Sequence, residues 1–168
     1  MFKKILLSVT CLMMISTGAE AAASQEDVSS IDGIIAALYS VISGSKEDVR
    51  DWQRFTDLFD LNARLIFVSR DAPSGFMARS PEQYVEMASN SFVKNGFFER
   101  EISRDMDVYG NIAHVFSTYE GRRSLDAEPF LRGINSIQLA YNGERWFIET
   151  VFWQAENDQF PLPDKYLD

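Results

Sequence analysis

The chain has 168 residues with 16 basic and 25 acidic side chains, which give a net charge of −9 at pH 7. An acidic chain without a basic run lacks the electrostatic surface that binds nucleic acid or anionic lipid, so both partners are excluded. One cysteine and one histidine exclude a disulfide framework and argue against a zinc site, which needs three or four such ligands.

Residues 1–23 have the layout of a secretory signal peptide. A lysine pair precedes an apolar run, and the small-residue stretch GAEAAAS offers cleavage after Ala21 or Ala23. The run is too short to cross a bilayer as a mature helix. We therefore expect export to the periplasm or out of the cell, with no membrane association of the mature form. Residues 24–168 are long enough for a single domain. Because Cys11 lies within the leader, this domain would contain no thiol.

The first half of the mature chain shows helix signals followed by a strand signal. Apolar residues at helical and then strand-like spacing predict two helices and one strand, over 31–43, 47–60 and 63–70. Ser30 is a suitable N-cap for the first helix. A turn and a short return strand come next. Ser80 and Pro81 then begin a third helix, and Gly96 ends it.

From residue 97 onward the apolar pattern changes to period two. It predicts four strands, over about 97–109, 112–123, 130–141 and 144–154. The dipeptides Gly110-Asn111 and Asn142-Gly143 favour two-residue hairpins between them. This order of elements indicates an α+β domain in which the helices of the N-terminal half pack on one face of a sheet.

Two segments resemble the nuclear transport factor 2-like superfamily. FDLNARLIF is similar to its usual helix-to-strand junction, and RGINSIQLAYNGERWFIETVFWQ looks like its terminal hairpin, with a Gly-x-x-Trp-x-Ile core. Ketosteroid isomerases, polyketide cyclases and scytalone dehydratase share this fold. The resemblance implies a cone-like, curved mixed or antiparallel sheet with three helices on its concave face. It also implies a pocket between helices and sheet and a convex face that often pairs with another subunit.

The hairpin turns predict which side chains point toward the helices. Two-residue turns fix the register, and the more apolar set of each hairpin is then the inner one. The predicted ligand-binding residues of this inner set are Arg104, Ser117, Tyr119, Asn135, Thr150 and Trp146. No Asp, Glu or His of the last four strands belongs to the set. Such a pocket would bind a neutral or anionic small molecule rather than abstract a proton.

The same register leaves an apolar patch on the outer face. Its members are Phe116, Ile134, Phe147, Val151 and Trp153. Because large exposed apolar patches usually mark interfaces, we predict a homodimer formed through this face. His114 lies opposite Asp107 there, and this position is typical of a solvated or interface pair rather than of a catalytic dyad.

These observations favour an exported small-molecule-binding domain that acts as a homodimer, without a cofactor or a metal. The alternative is an enzyme of the isomerase, dehydratase or cyclase type, with Asp57 or Tyr119 as acid or base. One position argues against it: Leu61-Asn62 stands where the superfamily often has Pro-Asp, and an amide cannot act as a general base. A third interpretation is an adaptor that binds a partner protein through the outer sheet face.

Overall fold

The computed structural model describes residues 22–69 and 72–167. Its helices are α1 Gln25–Val28, α2 Ile31–Ile42, α3 Trp52–Asp57 and α4 Pro81–Asn95. Its strands are β1 Phe59–Val68, β2 Phe76–Arg79, β3 Phe98–Tyr109, β4 Ile112–Arg122, β5 Leu131–Tyr141 and β6 Trp146–Ala155, and a 3-10 turn, Asp164–Tyr166, comes last. Apart from its last two residues, the predicted leader lies outside the described residues. No helix of the described part is long and apolar enough to span a bilayer.

The helices begin where side chains can cap them. Ser30 accepts a hydrogen bond from the Gly33 amide at the start of α2, and Ser80 forms a reciprocal capping box with Gln83 at the start of α4. The helix predicted over 47–60 is shorter, Trp52–Asp57, because Asp51 caps it and β1 already begins at Phe59. Val49, predicted on its apolar stripe, is 87% exposed.

The strands form a six-stranded mixed sheet in the order β2-β1-β6-β5-β4-β3. β1 runs parallel to β6, and all other neighbours are antiparallel. The α+β prediction, with the helices in the N-terminal half and a strand meander at the end, is confirmed. α2 contacts β3 and β6, and α4 contacts β1 and β2. The core between helices and sheet includes Ile34, Ile35, Phe55, Leu58, Val115, Ile137 and Ile148.

A β-bulge in β3 changes which side chains face the helices. Near the Gly110-Asn111 turn the predicted pairs are present, up to Ser103 opposite Thr118. The register then shifts, and Glu101, rather than Ile102, lies opposite Tyr119. An extra residue in one strand reverses the facing of everything beyond it. Glu101 and Glu99 therefore point inward, and the prediction of an inner face without carboxylates is wrong.

A second bulge reverses the facing of β6. The loop between β5 and β6 has four residues rather than the predicted two, since Tyr141 pairs with Trp146. The pairing is thereby displaced by two residues, and a displacement by an even number leaves the inner and outer sets unchanged. A shift between Leu139↔Ile148 and Gln138↔Thr150 then places Glu149 as the extra residue. The remainder of β6 is consequently turned over.

The predicted facing of four residues in β6 is therefore wrong. Val151 and Trp153, expected on the outer face, lie opposite the inward Ile137 and Asn135, and Val151 is buried. Thr150, expected in the pocket, shares the outer face with Phe152, which is 42% exposed. Phe152 was expected to close the core.

The C-terminal segment, residues 156–167, crosses the outer face of the sheet. Glu156 accepts hydrogen bonds from Arg132, with distances of 2.9 and 3.1 Å, and the Tyr166 ring lies 5.0 Å from that of Phe116. A groove of about 530 Å³ remains between this segment and the strands, with Ile134 on its floor. Part of the predicted interface is thus covered by the chain itself.

Candidate functional site

A cavity of about 360 Å³ lies between the helices and the inner face of the sheet. Helices α2, α3 and α4 and strands β1, β3, β4, β5 and β6 all contribute to its walls. Its aromatic lining consists of Tyr39, Phe55, Tyr84, Phe92, Phe97, Tyr119 and Trp153. Aliphatic residues such as Leu38, Leu65 and Val151 fill the spaces between the rings. Both the size and the apolar lining are those of small-molecule sites.

Glu99 is the only carboxylate among the residues that line the described cavity. The bulge in β3 turns it inward, opposite Gly121. Its nearest polar partner is Asn135, whose Nδ2 donates to Oε1 over 3.4 Å. Burial disfavours the charged form and raises the pKa of Glu99 to about 7, although the Asn135 hydrogen bond opposes the change. The carboxyl can therefore gain or lose a proton near neutral pH.

A chain of hydrogen bonds holds Asn135 in place. Its Nδ2 also donates to the Tyr39 hydroxyl over 3.0 Å, and this hydroxyl lies 2.7 Å from Ser117 Oγ. Ser117 in turn donates to Glu101 Oε1 over 2.5 Å. Glu101 accepts three hydrogen bonds from the Arg104 guanidinium, of which the shortest joins Nη2 to Oε2 at 2.6 Å. These hydrogen bonds fix the orientation of the Asn135 amide, and Glu99 is the carboxylate of the network that lines the cavity.

Two tyrosine hydroxyls face this region without a hydrogen bond to any residue described in the structure. They belong to Tyr84 of α4 and Tyr119 of β4, both on the cavity wall. Burial raises the pKa of each phenol above its usual range, and the nearby Glu99 carboxyl raises it further. Both groups therefore remain protonated and can donate a hydrogen bond to a ligand.

The structure brings together only part of the predicted ligand-binding set. Tyr119 and Asn135 line the cavity, and Ser117 lies behind them in the network. Arg104 is in a neighbouring cleft, where Asp32 pairs with it at 2.5 Å in addition to Glu101.

Two further predicted residues lie elsewhere. Trp146 packs beside Tyr141 at a ring distance of 5.3 Å, outside the cavity wall. Thr150 is on the other face. Asp57, a candidate acid or base, accepts a hydrogen bond from Gln53 over 2.9 Å and does not line the cavity.

Sequence reasoning missed Glu99, Tyr39, Tyr84 and Trp153. Tyr39 and Tyr84 lie at helical spacing with apolar neighbours, and residues in this pattern more often pack in the core than bind a ligand. Glu99 and Trp153 were missed because the two bulges reverse their facing. Phe97, Glu99 and Glu101 alternate along the chain, but this alternation does not tell which face is the inner one.

The outer face carries His114, the single histidine of the sequence. His114 lies opposite Asp107 as predicted, and its Nε2 is 2.9 Å from Ser136 Oγ. Within residues 22–69 and 72–167, no three His, Cys, Asp or Glu side chains lie close enough to hold a metal ion.

The sequence matches no known family model and no curated protein. Its structure is nevertheless similar to several solved structures at low identity. A nuclear transport factor 2-like protein of unknown function from Pseudomonas putida shares 12% identity at a TM-score of 0.59, over 82% of this chain and 92% of its own. A protein of unknown function with a cystatin-like fold from Nostoc punctiforme shares 11% identity at a TM-score of 0.58, over 76% and 90% of the two chains.

The chain has the nuclear transport factor 2-like fold. A third similar structure, from Parabacteroides distasonis and provisionally named a ketosteroid isomerase, shares 14% identity at a TM-score of 0.54, over 84% of this chain and 99% of its own. Identities at this level establish the nuclear transport factor 2-like fold alone. Because one fold serves many chemistries, function must be argued from the side chains of the cavity.

Proposed function

We propose that this domain binds a small, largely apolar molecule in the cavity between its helices and its sheet. The supporting observation is the cavity itself, about 360 Å³ with aromatic and aliphatic walls. Glu99, Asn135, Tyr84 and Tyr119 supply polar groups at its surface. A few polar groups in an apolar cavity orient a ligand, while the apolar walls provide most of the affinity.

Native mass spectrometry of the protein purified from its own host tests this function. We expect an adduct of small-molecule mass on the folded protein. Ser91 lies on the cavity wall yet is exposed, so Ser91→Trp should block the opening and remove the adduct. Asn90→Trp is the matched control, because Asn90 is exposed on the same helix and does not line the cavity. An unliganded wild type, or an adduct that survives in Ser91→Trp, would contradict the proposal.

A second candidate function, a proton-transfer enzyme, is favoured by Glu99. A carboxyl whose pKa lies near 7 can act as base and then as acid, and Tyr84 and Tyr119 could donate hydrogen bonds to a developing oxyanion. A β,γ-unsaturated cyclic ketone such as 3-cyclohexen-1-one is a suitable probe, since its isomerisation is visible by ultraviolet absorption. Turnover that Glu99→Gln abolishes would support catalysis. Binding of the ketone without turnover would refute catalysis and support only the binding function.

We also propose that the chain is exported and dimerises through its outer face. The first 23 residues support export, and N-terminal sequencing of the periplasmic or secreted protein would test it. For the dimer, three large apolar residues that line the groove on the outer face are exposed, Val68, Phe152 and Phe160, at 44%, 42% and 54%. They adjoin Phe116 and Ile134 in the groove beneath the C-terminal segment. An adaptor that uses the same face for another protein remains the alternative to self-association.

A further inference from the structure

The cavity carboxylate has no positive partner within the described residues. No Lys, Arg or His lines the cavity, and the hydrogen bond from Asn135 to Glu99 is that of a neutral amide. Glu99 also lines the neighbouring cleft, but the arginines there are paired with other carboxylates: Arg104 with Glu101 at 2.6 Å, and Arg100 and Arg122 with Glu120. An ionised carboxylate in an apolar cavity is costly unless a cation accompanies it. Glu99 therefore forms no ion pair with any residue that the structure describes.

Aromatic faces surround the same space. The rings of Tyr84 and Trp153 meet edge to face with centroids 6.2 Å apart, and Phe55 stacks on Tyr84 at 5.3 Å. Tyr119 and Phe92 add further rings to the wall. An aromatic ring attracts a cation to its face, and the attraction is strongest where water is excluded. A carboxylate and several rings on one cavity suit a positively charged ligand group.

We propose that the cavity takes a lipophilic amine in its ammonium form, with the nitrogen at Glu99 and the apolar body against the aromatic walls. The proposal rests on the ligand-binding function above and names the chemical class of its ligand. It differs from the sequence-based expectation of a neutral or anionic ligand, which followed from an inner face without carboxylates. An acidic protein with a net charge of −9 further attracts cations from solution and repels anions.

The protonation of Glu99 sets a pH dependence. The groups that face it from the cavity are Tyr39 of α2, Tyr84 of α4, Tyr119 of β4 and Asn135 of β5. The neighbouring cleft, which Glu99 also lines, adds Glu101 and three arginines that are paired with Glu101 or Glu120: Arg100, Arg104 and Arg122. The phenols remain neutral because burial and the Glu99 charge raise the pKa of each. Since the pKa of Glu99 is about 7, its charged fraction grows between pH 5.5 and pH 8.5. Over that range an alkylammonium keeps its charge, and its affinity should rise by roughly tenfold or more.

Three probes with one apolar body separate charge from shape. They are 4-phenylbutylamine, 4-phenylbutan-1-ol and 4-phenylbutanoate, titrated at pH 8 by calorimetry and by tryptophan fluorescence, to which Trp153 on the wall should respond. We expect the amine to bind about tenfold or more tightly than the alcohol and the carboxylate to bind most weakly. This ranking in the wild type tests the proposal without any variant.

Substitution of Glu99 then assigns the preference to its carboxylate. Glu99→Gln should bind the alcohol with little change and lose the advantage of the amine. Glu86→Gln is the control: it removes one charge from the exposed side of α4 and should retain the preference for the amine. Equal binding of amine and alcohol by the wild type, or an amine preference that persists in Glu99→Gln, would overturn this proposal and leave the binding cavity intact. Failure of all three probes at millimolar concentration would overturn the cavity function as well.

Discussion

Glu99 is a carboxyl that folding moves from water to a largely apolar wall. Its environment, rather than its chemistry, raises its pKa to about 7, because no cation offsets the loss of hydration. The folded protein therefore holds a proton on this group between about pH 4.5 and pH 7, where the unfolded chain does not. Stability should fall as the pH rises through this window and should change no further above it.

We expect Glu99→Gln to be more stable than the wild type at pH 8, by about 1–3 kcal/mol, and equally stable at pH 4.5. The amide removes the need to bury a charge while keeping the shape of the side chain. Urea denaturation at the two pH values measures the difference. A variant that is less stable at pH 8 would show that the carboxylate is well solvated in the fold.

Asp27, in α1, shows the opposite behaviour. Arg54 of α3 donates to both its oxygens, at 2.9 and 2.7 Å, and Ser24 adds a capping bond. The Arg54 guanidinium lowers the pKa of Asp27 from 3.8 to about 2, against the effect of burial. The pair thereby ties the short α1 to α3.

Because the folded pKa of Asp27 is below its unfolded value, its contribution is complete above about pH 4 and is lost as the pH falls toward 2. Arg54→Ala should cost about 1–3 kcal/mol at pH 7 and much less near pH 2. Gln53→Ala, an exposed neighbour on the same helix, is the control. Thermal melts from pH 2 to pH 7 measure both. A loss independent of pH would point to packing by the arginine stem instead.

At the scale of single elements, β5 crosses the Tyr119 ring at a glycine, Gly133. Gly133 lies opposite Tyr119, and a Cβ there would sit 2.4 Å from the Gln154 carbonyl oxygen and 2.6 Å from the Tyr119 hydroxyl. Strand and ring can approach so closely only with glycine at this position. The placement of Tyr119 on the cavity wall thus depends on a neighbouring strand.

Gly133→Ala should destabilise the protein by about 1–3 kcal/mol and weaken ligand binding, because either β5 or Tyr119 must move. Gly121→Ala is the control on β4, since a Cβ there would come no closer than 3.3 Å, to the Phe97 ring. Its effect should be under about 1 kcal/mol. Chemical denaturation and the probe titrations report the two effects separately. Similar losses in both variants would contradict the steric account.

Periodicity and turn residues predicted the elements of this fold but not the facing of every strand residue. The elements follow from signals that each segment carries itself, such as the Ser80 cap and the period-two pattern of the strands. A bulge has no comparable signal, because Ile102 and Glu149 look like ordinary strand residues in sequence. Each is an extra residue only relative to its partner strand. The inward facing of Glu99 and Trp153 could therefore not be predicted, whereas that of Tyr119 and Asn135 could.

At the scale of the whole molecule, the sheet has two covered faces of different kinds. Helices cover the inner face and enclose the cavity, while the C-terminal segment covers only part of the outer face. Phe152 and Phe160 remain about half exposed beside that segment. A homodimer through this surface would bury them, and it would use a different set of β6 side chains from the one that the sequence pattern indicated.

Phe152→Arg should convert the proposed dimer to a monomer in size-exclusion chromatography with light scattering, because a buried unpaired charge opposes association. Leu61→Arg, at a site that is 94% exposed in β1, should leave the assembly unchanged. Circular dichroism would verify that both variants fold. A wild type that is monomeric at micromolar concentration, or a dimer that tolerates Phe152→Arg, would refute this interface.

The bulge at Ile102 decides which charges face the cavity. If β3 paired with β4 without it, Ile102 would lie opposite Tyr119 and Arg100 opposite Gly121, in the places that Glu101 and Glu99 now hold. A basic group would stand where an acidic one is now, without any change in the sequence. In a chain of this fold, gain or loss of a bulge is thus a route by which a binding cavity could change its charge, and with it the ligands it accepts.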